Sequence, residues 1–333
     1  MPLPIASKVK KILLALFLLK LSHSVLAQNK SVDAAQNNLK NTNVNKDLPE
    51  PQTTIGLTPR KFLVGGASVV GMAGSLYVFT KISNYEYDKN FHTVNDSRVW
   101  QQLDKNEHAF IAYTASRYLT EAWEWAGLSR NKAVGLSAVS SLAYLSAKEY
   151  LDGHKSDWGW SWADMGANVA GITLFAAQDL AWQEQKIQFK FSASPRNYAT
   201  DLDNRATVLF GGGVPKRLLK DHNAQTYWLS FNLKSLTNAT PLPAWLNLAV
   251  GYGADNMWGP YDNIGYHNGA IVFDRTDLKR YRQWYLAPDI DLTKIKTNRK
   301  GLKTLLFVLN SVKVPLPTLE ISEGKLKAHA VHF

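Results

Sequence analysis

Between Phe62 and Trp182 the chain is built of apolar, Gly- and Ala-rich stretches that carry acids and a histidine where a passive core helix would carry Leu or Ala. His108 follows Asp104 by four residues, Asp152 follows Glu149 by three, and Asn168 follows Asp164 by four. At about 3.6 residues per turn, each pair lies on one helical face. The pattern predicts helices over residues 62–79, 100–125, 132–151 and 162–182. Short links between them favour antiparallel neighbours with a polar site between their faces. Ser161 is placed to cap the last helix, and Asp152-Gly153 ends the third.

The first stretch, 62–79, has no charge for 18 residues and contains Gly65, Gly66, Gly71 and Gly74. It reaches the lower length limit for a membrane span, and its glycines would permit close helix contact. It reads equally as a span or as the central helix of a bundle. Upstream, Lys8, Lys10 and Lys11 precede an apolar run from Ile12 to Leu21, and small residues surround Ala27. Residues 1–27 therefore read as a signal peptide, and the Asn-, Gln-, Thr- and Pro-rich stretch 28–60 as a flexible tether. Removing 1–27 with its four lysines lowers the formal charge from +11 to +7. That charge suits an anionic envelope surface, and no nucleic-acid motif accompanies it. Cysteine is absent, which excludes disulfides, thiol catalysis, Cys-ligated zinc and a lipid carried on an N-terminal Cys.

Beyond Gln185 the texture changes to short aromatic and β-branched runs separated by Gly, Asn, Asp and Pro. Strands are expected over 186–193, 227–236, 245–253, 281–292 and 302–308. Tyr281, Gln283, Tyr285 and Ala287 fall on one side of such a strand; Arg282, Trp284 and Leu286 fall on the other. The chain closes on Val331 and Phe333, as outer-membrane strands do, whereas prolines at 241, 243, 315 and 317 interrupt the spacing. The fold class is thus α+β: an N-terminal apolar helical bundle (61–185) followed by an antiparallel β-rich domain (186–333). The second part is either a partial or small outer-membrane barrel or an open sheet.

The polar residues admit three roles. One imidazole and several carboxylates can hold a divalent metal, which nominates His108, Glu149, Asp152 and Asp164 as ligands. As a structural network, Asp104 or Asp164 would accept from helix N-termini, Lys105 would pair with Glu149, and Asn168 would bridge backbone groups. As an enzyme, Glu149 or Asp164 would be a general base, His108 a proton carrier, and Lys105 a stabiliser of an anion such as a lipid phosphate. No nucleophile elbow, zinc-protease motif, Walker loop or dinucleotide fingerprint is present, and Gly211-Gly212-Gly213 reads as a turn.

Phe91-His92-Thr93-Val94-Asn95-Asp96, Asp104-Lys105-x-x-His108, Glu149-x-x-Asp152-Gly153, Trp158-Gly159-x-Ser161-x-x-Asp164-x-x-x-Asn168 and Gly171 resemble the envelope lipoproteins grouped as domain of unknown function 2279. The resemblance continues through Gln183-Glu184-Gln185, the segment from Gln225 to Ser230, that from Trp245 to Ala254, and Asp289-Ile290-Asp291-Leu292. The helical part is also similar, through its Asp-Lys…His and Asp…Asn…Gly features, to the small membrane proteins named for the teicoplanin-resistance accessory protein. This chain departs from the pattern in having Asn106-Glu107 between the Lys and the His, and in lacking a lipid-bearing Cys. The resemblance implies export and a location at the periplasmic face of the outer membrane or within it, but no reaction. A structural or interactive role in outer-envelope assembly or maintenance is the first expectation, with an envelope lipid or outer-membrane protein as partner and no nucleic acid. A metal-dependent or lipid-modifying enzyme using the interhelical His/carboxylate site is the alternative.

Overall fold

The computed structural model of the chain describes residues 58–82, 90–156, 158–237, 241–267 and 269–332. The expected signal peptide 1–27, and the expected tether up to residue 57, lie outside the described residues. Four long helices are α1 (Pro59–Ile82), α2 (Leu103–Trp125), α3 (Arg130–Asp152) and α4 (Trp162–Trp182). A two-residue parallel pair, β1 (Thr93–Val94) with β2 (Trp160–Ser161), ties the approach to α2 to the start of α4.

Helices α2, α3 and α4 pack on one another through Ala112, Tyr113, Val134, Leu145, Ile172 and Phe175, all buried. Gly171 sets the closest approach. A Cβ built there would lie 2.0 Å from the backbone oxygen of Ala109, so α4 can press onto α2 only because that position has no side chain.

Both readings of 62–79 are corrected. No described helix is long and apolar enough to cross a membrane. The glycines and serines of the uncharged stretch 62–79 dilute its apolar character. Nor is α1 central: Phe62 is 74% and Val70 72% exposed. It is held at the bundle's side by Ser75 Oγ against the Tyr144 hydroxyl (2.8 Å) and by Arg60 over the Trp125 ring (5.2 Å).

The remainder follows as β3 (Ile187–Ala193), α5 (Thr200–Phe210), α6 (Val214–Lys220), β4 (Gln225–Asn232), α7 (Leu233–Thr237), β5 (Leu246–Asp255), β6 (Ile264–His267), β7 (Ala270–Asp274), β8 (Tyr281–Ile290), α8 (Lys300–Leu309), β9 (Leu316–Ser322) and β10 (Lys325–His332). Six strands form one antiparallel sheet in the order β10-β9-β8-β5-β4-β3, and β6-β7 is a separate hairpin. The sheet has two edges, β3 and β10, and does not close into a barrel. Among the described residues there is thus neither a closed barrel nor a helix long and apolar enough to cross a membrane, which corrects the outer-membrane-barrel and membrane-span expectations. Alternation along a strand fixes which side chains share a face; it carries no information on whether the edges meet.

The expected strand over 302–308 is instead part of helix α8. Leu302, Leu305, Leu306 and Leu309 recur at three- and four-residue intervals, a helical period. The expected strand 227–236 stops at Asn232, whose side-chain oxygen accepts from the Ser235 backbone N–H and turns the chain into α7. Helices α5 and α6, on either side of the Gly211–Gly213 turn, and strand β9 were not expected.

The apolar side of β3 and β4 receives α2: Phe110 meets Phe189 at 5.9 Å and Phe191 at 5.7 Å, while Tyr113 meets Phe189 at 6.4 Å. The other side of the sheet is polar and buried. There Lys190 Nζ reaches the Asp289 carboxylate at 2.7 Å, with both side chains fully enclosed. Ser230 Oγ donates to Asp289 (2.6 Å), and Lys190 also donates to the Ile290 carbonyl (2.9 Å).

His332 lies over Tyr285 on this polar side, with ring centroids 4.4 Å apart. Burial, with the neighbouring His329 charge, pushes its imidazole down to about 4. The unfolded chain, with an ordinary histidine value of about 6.5, binds the proton first. The stabilising contribution is therefore complete above about pH 6.5 and is lost as pH falls toward 4. Urea midpoints measured at pH 7 and 4.5 should fall further for the wild type than for His332→Gln; parallel falls would contradict this assignment.

Candidate metal centre

The site lies where the N-terminal turns of α2 and α4 meet the C-terminal turn of α3. Helix α2 supplies Asp104, Lys105 and His108, α3 supplies Glu149 and Asp152, and α4 supplies Asp164 and Asn168. Asp104 and Asp164 each occupy a first helical turn, where the exposed N–H groups favour negative charge. Ser161 caps α4 by accepting from the Asp164 N–H (3.0 Å) and donates its hydroxyl to Asp96.

The backbone entering α2 is unusual. Trp100, Gln101 and Gln102 are consecutive non-glycine residues with φ of 49°, 53° and 66°. Left-handed backbone costs of order 1–2 kcal/mol per such residue and persists only where the surroundings impose it. Here the Trp100 N–H donates to the Pro260 carbonyl (2.8 Å), the Tyr252 hydroxyl to the Gln101 carbonyl, and Arg282 to Gln102 Oε1 (2.8 Å). The sheet and its loops thus fix the start of the helix that presents Asp104, Lys105 and His108.

Lys105 Nζ is surrounded by three carboxylates: Asp96 Oδ2 at 2.7 Å, Asp104 Oδ2 at 2.6 Å and Asp164 Oδ1 at 2.5 Å. Burial works against its charge, but Asp104 and Asp164 outweigh that and raise its proton affinity. Three carboxyl groups thus converge on one ammonium, more than a single lysine can neutralise. Burial and the Asp104 charge push the Asp164 carboxyl well above the usual range. Asp104 goes the other way: burial opposes ionisation, and the His108 and Lys105 charges overcome it.

His108 Nδ1 lies 3.2 Å from Asn168 Oδ1, which assigns its proton to that nitrogen. Its Nε2 lone pair then faces Asp164 Oδ2 across 3.6 Å, and Glu149 Oε1 is 3.8 Å from Nδ1. Burial and the nearby Lys148 charge lower the imidazole to about 4, so it is neutral at ordinary pH, the form that ligates metals. Two acceptors face one another across that gap, and a cation or a proton resolves the conflict. One oxygen each from Asp104 and Asp164 and one nitrogen from His108 lie within 4.8 Å of one another. A buried His/Asp/Asp cluster geometrically compatible with a divalent metal is therefore present, with the imidazole's far nitrogen held by an amide oxygen as metal-ligating histidines are.

Of the four ligands nominated from sequence, the cluster holds His108 and Asp164 and adds Asp104, while Glu149 lies outside it, 3.8 Å from His108 Nδ1. Asp152 is drawn away: it takes Lys148 at 2.9 Å and also Lys155, and against burial these lysines lower its carboxyl. The expected Lys105–Glu149 pair does not form. Glu149 takes its sequence neighbour Lys148 at 3.0 Å, because Lys105 points across to the start of α4. Burial still leaves the Glu149 carboxyl raised. Lys105, held by three acids, is an internal neutraliser and does not present itself to a substrate anion. Asn168 bridges to His108 and not to backbone. Sequence reasoning missed Asp96, although Asn95-Asp96 was visible as a polar turn, and Lys148 and Lys155, which lie three or four residues from Asp152. It also passed over Glu107, whose carboxyl burial and the Asp104 charge push up to about 7.

With this geometry in view, residues 94–178 match the family described as Predicted periplasmic lipoprotein (DUF2279). The matched segment contains every residue of the site, from Asp96 to Asn168, and stops before the sheet. No curated protein and no solved structure matches the chain, so the expected likeness to the teicoplanin-resistance accessory proteins has no support there. The family description points to a periplasmic or envelope context. The 333 residues contain no cysteine, which agrees with the absence of a Cys-borne lipid. What the chain's central 94–178 segment is similar to is this family of periplasmic proteins without an assigned reaction.

Proposed function

We propose that the chain is an exported, metal-dependent enzyme of the cell envelope whose divalent cation is held by Asp104, His108 and Asp164. The observation that carries this reading is the convergence of one neutral imidazole and two carboxyl groups on a single point, where His108 Nε2 and Asp164 Oδ2 face one another across 3.6 Å. A cation between them would replace the proton that the raised Asp164 carboxyl otherwise holds. A bound divalent ion supplies Lewis acidity and a more acidic water. Glu149, 3.8 Å from His108 Nδ1 and with its carboxyl raised by burial, would serve as the proton acceptor. An ester of an envelope lipid is the substrate class, in keeping with the periplasmic description of the family.

Lipid profiles of three strains test it: deletion, deletion with wild type restored, and deletion carrying His108→Ala made to wild-type levels. The proposal expects one lipid species altered by deletion, restored by the wild type and not by His108→Ala. Full restoration by His108→Ala would overturn the enzymatic reading and leave a structural role in the envelope.

A further inference from the structure

A second polar site lies on the other side of the bundle. A cavity of about 330 Å³ opens between α2, α4, the stretch after β8, and α8, with Phe175, Ile295 and Phe307 among its walls. Arg117 of α2 borders it and is only 6% exposed. Its guanidinium lies over the Phe307 ring at 4.4 Å. Among the described residues no oxygen accepts a hydrogen bond from it. Stacking occupies the face of the guanidinium and leaves its in-plane N–H donors available.

The acids around the cavity are already engaged. Asp179 receives Arg130 at 2.5 Å and 2.9 Å, Glu184 receives Lys294 at 2.5 Å, and Asp291 receives Gln188 at 2.7 Å. Glu121 faces Arg130 at 3.5 Å. Lys303, from the first turns of α8, borders the same space and forms no ion pair among the described residues. The Arg117 nitrogens are not sealed in the interior, so their donors reach the cavity, where an acceptor could meet them. A planar guanidinium fork is suited to a phosphate or carboxylate.

We infer that this cavity is a binding site for an oxyanion of the phosphate class, with Arg117 as its principal donor and Lys303 as a second charge. The apolar walls beside the two cations suit a ligand whose anionic head carries a short hydrocarbon part. The site is separate from the His108 centre, and the inference does not rest on the enzymatic proposal.

Calorimetric titration of the purified chain with inorganic phosphate, octyl phosphate below its micellar concentration, and octanol tests it. Wild type should bind both phosphates and not octanol. Arg117→Met, which keeps the stacked stem, should weaken phosphate binding about tenfold or more, and Lys303→Gln about threefold, in line with the worth of charged hydrogen bonds. Octyl phosphate bound at least about tenfold tighter than phosphate would identify an amphiphile as the natural ligand; equal affinities would identify a free oxyanion. The inference is overturned if neither phosphate binds, if octanol binds as well as octyl phosphate, or if a folded Arg117→Met binds phosphate like wild type. Should Arg117→Met fail to fold, the Arg117 Nε–H resonance of the wild type decides: it should shift on adding phosphate, and an unmoved resonance counts against the site.

Discussion

Asp289→Ala is expected to destabilise the fold by about 3–5 kcal/mol, the cost of leaving a buried partner charge uncompensated. Lys190 and Asp289 are both fully enclosed and 2.7 Å apart, and burial already lowers the lysine's proton affinity. Removing the carboxylate strands an ammonium whose remaining partners are the Ile290 carbonyl and Asn310 Oδ1. Replacing both members, Lys190→Met with Asp289→Leu, should recover much of the loss, because desolvation of the pair offsets most of its attraction. Urea denaturation of the single and double variants checks this. A single variant within about 1 kcal/mol of wild type, well below the cost of a stranded buried charge, would show that the pair is not enclosed as described.

Gly171→Ala is the second large effect. Its Cβ would lie 2.0 Å from the Ala109 backbone oxygen, and backbone cannot rotate aside as a side chain can. Overpacking of this kind costs about 1–3 kcal/mol and sometimes more. The strain acts one residue after Ala109's neighbour His108 and three after Asn168, so α2 and α4 must part where His108 meets Asn168. Thermal denaturation should show a lowered midpoint, and whatever folded protein remains should lose metal affinity. An unchanged midpoint would place the two helices farther apart than the structure has them.

Much of the bundle is legible in sequence because its signals are local. Periodicity located α2, α3 and α4 to within a few residues, and the Ser161 cap follows from a hydroxyl three residues before Asp164. Face alternation along β8 is likewise local, and Gln283, Tyr285 and Ala287 are indeed buried while Arg282, Trp284 and Leu286 are exposed. What failed depended on distance. Whether β3 meets β10 is a property of the whole sheet. Whether 302–308 is strand or helix turns on weighing two periods in one short apolar run.

The candidate site divides in the same way. Spacing placed Asp104 and His108 on one face, and Asp164 and Asn168 on another, but it could not say which acid each lysine would choose. Asp152 differs from Asp164 because Lys148 and Lys155, four residues before it and three after, pair with it, a local signal that the reading of the acids passed over. Asp96 enters through the short β1–β2 pairing, a contact across more than 60 residues that no local pattern announces.

The central claim is that Asp104, His108 and Asp164 hold a divalent cation. Calorimetric titration of chelator-stripped protein with zinc and with manganese, alongside elemental analysis of protein purified without chelators, tests it most directly. One ion per chain is expected, with binding lost in His108→Ala and in Asp164→Asn and retained in Asp152→Asn. Failure of wild type to bind either ion, or equal binding by folded His108→Ala, would contradict the claim.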